Sequence, residues 1–172
     1  MHLKKTYAVA AAAVMSALSV LLLLVGTLIS PNTLFFSALA AYLIGYTVNK
    51  YGLKYGCAQL VVCVLLDFFV NPNKLNWILY LCLGGYIFVG EAIFQKWNRV
   101  RDERKRFRVQ LMCNWILFNM IYIPLLTMCR GLLFSEDVSV GFAVLWFAGQ
   151  VGWFLYDKAY RFFFRTLRDR NL

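Results

Sequence analysis

Histidine is almost missing from this chain of 172 residues, and the single one is His2. No imidazole therefore lies inside any hydrophobic stretch to act as a general base. The five cysteines, Cys57, Cys63, Cys82, Cys113 and Cys129, form no C-x-x-C pair. Structural zinc takes about four Cys or His ligands, so no metal is expected, and the cysteines read as small apolar packing residues. A glycine-rich phosphate loop, a G-x-S-x-G elbow and an H-E-x-x-H pair are also absent. Catalysis would be left to carboxylates and a lysine, so neither an enzyme nor a bound cofactor is expected. Acidic residues number only eight and prolines only three, and no Ser/Pro-rich linker or low-complexity tail divides the chain. One domain covering 1–172 follows.

Hydrophobic residues make up 62% of the sequence and aromatics 17%. They fall into six nearly charge-free blocks, approximately 7–29, 33–48, 52–70, 76–95, 109–129 and 139–156. A helix needs about 20 residues to cross the hydrocarbon core, so the blocks predict an all-α integral membrane protein with six transmembrane helices in one bundle. The second block is the shortest. A soluble bundle would carry a polar stripe on each helix, whereas Val20 to Leu24 and Trp115 to Phe118 have none.

The basic residues are sorted along these blocks. Lys4 and Lys5, Lys50 and Lys54, the run from Lys96 to Arg108, and Lys158 to Arg170 lie on one side; only Lys74 and Arg130 lie on the other. The positive-inside rule places both termini in the cytoplasm, and a multi-pass protein of the bacterial cell membrane is expected. The net charge of +10 is accounted for by attraction to anionic lipid headgroups, without nucleic acid. Lys4 and Lys5 before an apolar stretch resemble a secretory signal, but the block is long and five more follow, so a retained helix is expected. Residues 157–172 form a basic segment, with Tyr160, Phe163 and Phe164 set against lipid and Arg161, Arg165 and Arg168 at headgroup level.

Ionisable groups within a bilayer are costly and hence candidates for function; here they are Asp67, Glu91 and Asp157. Asp67 and Asn71 share a helix face leading into an amide-rich loop, Asn71-Pro-Asn-Lys-Leu-Asn76. That loop suits a small polar solute, or simply ends one helix and starts the next while Asp67 pairs with Lys74. Helical spacing also aligns Trp77, Tyr80, Gly84, Ile87 and Glu91; Trp115, Asn119, Tyr122 and Leu126; and Trp146, Gln150, Trp153 and Asp157. Rings flanking amides fit a flat, partly polar organic molecule. The same residues also serve as interhelical hydrogen bonds and interface belts. Ala8 with Ala12, and Ala13 with Ala17, make a smooth face for close approach of another helix, in this chain or in a partner.

Together these features resemble the substrate-binding S-components of energy-coupling-factor transporters. The alanine pairs look like that family's docking face on its first helix. Gly52-Leu-Lys-Tyr-Gly56 resembles its G-P-K-x-G turn with Leu53 in place of proline, and Gly84-Gly85 with Gly90 resembles its glycine-rich fourth span. The resemblance implies a binding subunit for a vitamin-like nutrient that docks through Ala8, Ala12, Ala13 and Ala17 on a membrane coupling protein driven by ATPase subunits. ATP would be used by those partners. It also implies a site drawing on Asn32, Asn73, Lys74, Asn76, Trp77, Tyr80, Asn119, Tyr122, Trp146 and Gln150. Two alternatives remain. The stretch from Gly56 to Asp67 resembles MreD, a membrane scaffold of the cell-wall elongation machinery, and the basic aromatic end at Tyr156 to Arg165 suits an accessory protein of lipid-linked-sugar flipping.

Overall fold

A computed structural model describes the backbone at residues 2–29, 32–72, 76–97, 103–133 and 139–170, and the side chains at 5–29, 32–72, 76–96, 108–127 and 144–164. The described chain contains six helices: α1 (His2–Leu28), α2 (Thr33–Tyr51), α3 (Leu53–Val70), α4 (Asn76–Trp97), α5 (Glu103–Leu133) and α6 (Ser139–Arg170). They fall into two compact units, Met1–Gln110 and Leu111–Leu172. Each is taken by itself.

In the first unit, helix ends follow from local chemistry. Thr33 Oγ1 donates to the carbonyl of Gly26 at 2.8 Å, tying the start of α2 to the end of α1. Gly52 stops α2 with a φ of 103°, a conformation in which a Cβ would be strained, and its N–H still reaches Val48 O at 3.0 Å. Asn71 ends α3 in an extended conformation, as the residue before Pro72 should.

Helix α2 packs on α1, α3 and α4, while α3 also touches α1 and α4. Its buried residues are Ser37, Ala40, Ala41, Ile44, Gly45, Thr47 and Val48, mostly small. Small residues let backbones approach closely where no water drives association. At the α2/α3 crossing, a Cβ on Gly56 would overlap Val48 Cγ2, and at α2/α4 a Cβ on Gly84 would stand 2.8 Å from Ile44 Cδ1.

On α3 the order of polarity is reversed from that of a helix in a water-soluble bundle. The buried residues of α3 are Gly56, Gln59, Cys63 and Asp67, whereas Val61, Val62, Leu65, Leu66, Phe68, Phe69 and Val70 are exposed. Contiguous apolar exposure on this scale needs an apolar surrounding. Four stretches are long and apolar enough to cross a membrane: Lys5–Leu28, Leu53–Val70, Asn76–Lys96 and Arg108–Thr127. Among the described residues α2 and α6 fall outside that set. Helix α2 touches three neighbours, and a helix so covered can carry Tyr42, Tyr46, Thr47 and Asn49 without showing them all to lipid.

The second unit holds most of α5 together with α6. The predicted block 109–129 is the middle of a longer helix that already runs from Glu103, with Pro124 inside it. Helix α6 continues past the expected end at residue 156 to Arg170 without a break. The sequence reading placed a boundary where apolar residues give way to basic ones, but Lys and Arg are good helix formers, so the backbone does not change there.

Candidate functional site

Gln59, Cys63, Asp67 and Asn71 recur every four residues along α3, which brings them to one face. That face is turned inward: Asp67 and Asn71 are each 1% exposed. Asn71 Nδ2 donates to Asp67 Oδ1 at 2.9 Å and to Thr27 Oγ1 at 2.8 Å. From α4, Asn76 Nδ2 donates to the same Thr27 oxygen at 2.9 Å. The Thr27 hydroxyl proton has two acceptors in reach, Leu23 O at 3.0 Å and Asn71 Oδ1 at 3.0 Å. One threonine hydroxyl thus joins α1, α3 and α4 beneath the ends of α1 and α3 and the start of α4.

Deeper in the unit the polar face continues. Gln59 Nε2 donates to Ser19 Oγ at 3.2 Å, Ser19 Oγ donates to Met15 O at 2.9 Å, and the Cys63 thiol points to Ser16 O at 3.6 Å. Tyr80 of α4 is fully enclosed, its hydroxyl beside Cys63 and Ser19. Further along these helices Ile44, Thr47 and Val48 of α2 and Ile87 and Glu91 of α4 are buried as well.

The second unit has a separate polar ladder. Trp115 Nε1 donates to Gln150 Oε1 at 3.0 Å, Gln150 Nε2 donates to Asn119 Oδ1 at 2.9 Å, and Asn119 Nδ2 returns to the Trp115 carbonyl at 2.9 Å. Both amides are thereby fixed in orientation. The Tyr122 hydroxyl donates to Leu145 O at 2.7 Å, and its ring lies where a Cβ on Gly149 would be. Near the other end of the pair, Asn114 Nδ2 donates to Asp157 Oδ1 at 3.1 Å, and Arg161 pairs with Asp157 Oδ2.

The predicted ligand residues are distributed as follows. Asn76 and Tyr80 join the interior of the first unit; Trp77 is half-buried, its ring edge-on to Phe68 at 5.7 Å. Asn32 is exposed at the start of α2 and makes no side-chain capping bond. Asn73 and Lys74 lie outside the described residues, and so does the suggested pairing of Asp67 with Lys74. Asn119, Tyr122 and Gln150 come together in the second unit, whereas Trp146 is 40% exposed. The alanine face of α1 divides: Ala8 and Ala12 are buried, Ala13 and Ala17 exposed.

Sequence reasoning missed Thr27, Ser19, Gln59 and Asn114. The four-residue repeat from Gln59 to Asn71 was a usable signal for Gln59. Thr27 gave none, because a lone threonine in an apolar helix is ordinarily satisfied by the carbonyl four residues back. The chemistry available at the Asn71 end of the first unit is the Asp67 carboxylate with amides and hydroxyls, suited to hydrogen bonding a solute or to holding helices together. Among the described residues no group of three or more His, Cys, Asp or Glu side chains could hold a metal ion. Compared with protein-family models, curated proteins and solved structures, the chain gives no match.

Proposed function

We propose that this chain is the membrane-embedded substrate-binding subunit of an importer of the energy-coupling-factor kind, capturing a small vitamin-like molecule from outside a bacterial cell. In this reading all six helices cross the cytoplasmic membrane as a single bundle with both termini inside. The Asn71 end of the first unit then faces outward, as the sorting of basic residues requires. The residues proposed to contact the substrate are Asn32, Asn73, Lys74, Asn76, Trp77, Tyr80, Asn119, Tyr122, Trp146 and Gln150. The chain hydrolyses nothing itself, and a coupling protein with ATPase subunits supplies the energy.

The observation that carries the reading is the polar face of α3, buried beneath an apolar exterior and joined to α1 and α4 through Thr27. Four hydrogen-bonding side chains at one end of a bundle are costly to hold in a membrane interior, and recognition of a polar solute is a reason to keep them. The exposed pair Ala13 and Ala17 supports docking of a coupling subunit on α1. Mass spectrometry of material extracted from protein purified in mild detergent tests the proposal. It is expected to reveal a co-purified small molecule that raises the unfolding temperature when added back; no such molecule, and no stabilisation by any member of a vitamin panel, would overturn it.

A second reading, an MreD-like scaffold, is favoured by the ladder of Trp115, Gln150 and Asn119, whose amides are spent on one another. Under that reading the polar stripes are interhelical fastenings. Co-purification with wall-synthesis proteins and no bound solute would select it.

A further inference from the structure

Gln59 and Tyr80 each carry into the interior of the first unit a polar atom that the hydrogen bonds there do not satisfy. Gln59 is 1% exposed and Tyr80 fully buried, and neither Gln59 Oε1 nor the Tyr80 hydroxyl has a hydrogen-bond partner. The Tyr80 oxygen sits beside the Cys63 thiol and the Ser19 hydroxyl without completing a bond of ordinary geometry to either. Gln59 approaches the same Ser19 hydroxyl through Nε2 at 3.2 Å. The Gln59 amide and the Tyr80 hydroxyl therefore both adjoin Ser19, one from α3 and the other from α4.

Exchanging the amide O and N of Gln59 does not remove the mismatch. Oε1 would then accept from Ser19, but Nε2, with two hydrogens, would be left over, so the orientation shown is the better of the two. The groups left unfilled are an acceptor on Gln59 and a hydroxyl on Tyr80 that both donates and accepts. A metal cation would satisfy the oxygens but not the Tyr80 proton. A species that donates and accepts satisfies both. Ser19 Oγ also lies 3.4 Å from Ala40 O of α2, and a buried water ordinarily makes about three hydrogen bonds to such groups.

We propose that Gln59, Tyr80 and Ser19 form a binding site for one internal water molecule. The water donates to Gln59 Oε1 and accepts from the Tyr80 hydroxyl. Its second hydrogen goes to Ser19 Oγ, which accepts one hydrogen from Gln59 and gives its own to the Met15 carbonyl. The water then joins the Gln59 end of the polar face of α3 to Tyr80 of α4 and Ser19 of α1. This site does not depend on the proposed transport role; it holds equally for a scaffold.

The test is thermal unfolding of the full chain in mild detergent for the wild type, Tyr80→Phe, Gln59→Met and the double variant. If the water is held, each single change lowers the midpoint by about 3 °C, and the double change lowers it by less than the sum, because both remove the same molecule. A Tyr80→Phe protein as stable as the wild type, or more so, would overturn the proposal, since deleting a truly unpartnered hydroxyl relieves its burial penalty. High-resolution crystallography gives the direct reading: an ordered oxygen within about 3.2 Å of both atoms is expected, and a node without one contradicts the site.

Discussion

The two units solve the same problem, holding helices together where burial of apolar surface gives little, by different means. In the first, Gly56, Gly84, Ala40 and Ala41 bring backbones close, and hydrogen bonds are gathered on the inner face of α3. In the second, α5 and α6 are bridged by large side chains, with Tyr122 against Gly149 and the amide ladder beside it. Close backbone packing leaves no slack, whereas long side chains can turn. The units should accordingly differ in how sharply they respond to an added or deleted group.

The strongest way to break that contrast is to add bulk at the α2/α3 crossing. Gly56→Leu is expected to destabilise the first unit by about 3 kcal/mol, because its neighbour is the stiff, β-branched Val48. Cys63, fully enclosed, should then react quickly with a thiol reagent. The parallel change Gly149→Leu should cost less, since the group in its way is the far end of the Tyr122 side chain, which can turn at the loss of its hydrogen bond to Leu145 O. If both changes cost the same, the distinction between the units fails.

Next in size is Asn71→Leu, expected to cost about 2 kcal/mol because it strips a donor from buried Asp67 and from Thr27 at once. Denaturant titration would register it, and a loss below about 0.5 kcal/mol would mean that water takes over the role. For the second unit, Gln150→Leu should cost about 1 kcal/mol, the usual scale of an interhelical hydrogen bond in a bundle. A double-mutant cycle with Asn119→Leu should reveal coupling between the two amides; additivity would argue against the ladder.

The smallest expected effect separates the faces of α1. Ala13→Leu should change folding stability by less than about 0.5 kcal/mol, being exposed, yet abolish co-purification with a coupling subunit under the transport reading. Ala12→Leu should instead lower stability itself, because Ala12 is buried. Uptake that survives Ala13→Leu together with Ala17→Leu would argue against docking on this face.

Much of this was legible in the chain. Runs such as Val20 to Leu24 lack polar residues on every side, and that alone directs them toward lipid. The stripes on α4, α5 and α6 were readable too, since helical periodicity assigns faces without knowledge of neighbours. Ends of elements were less so: α5 and α6 continue into basic segments because a change in solvent preference need not interrupt backbone hydrogen bonding. The candidate site divided in the same way. Asp67 and Asn71 stood out by cost and spacing, but Thr27 became important only through two amides, those of Asn71 and Asn76, 44 and 49 residues further along the chain.

The amino-acid order by itself determined six helices and an apolar exterior, because hydropathy and period are local properties that each segment carries alone. Tertiary structure decided which polar face of each helix turns inward, that Ala8 and Ala12 are covered while Ala13 and Ala17 are not, and that Ser19, Gln59 and Tyr80 meet. Those outcomes depend on which helices approach one another and how closely. The approach is set by small residues on several helices together, which no single segment specifies.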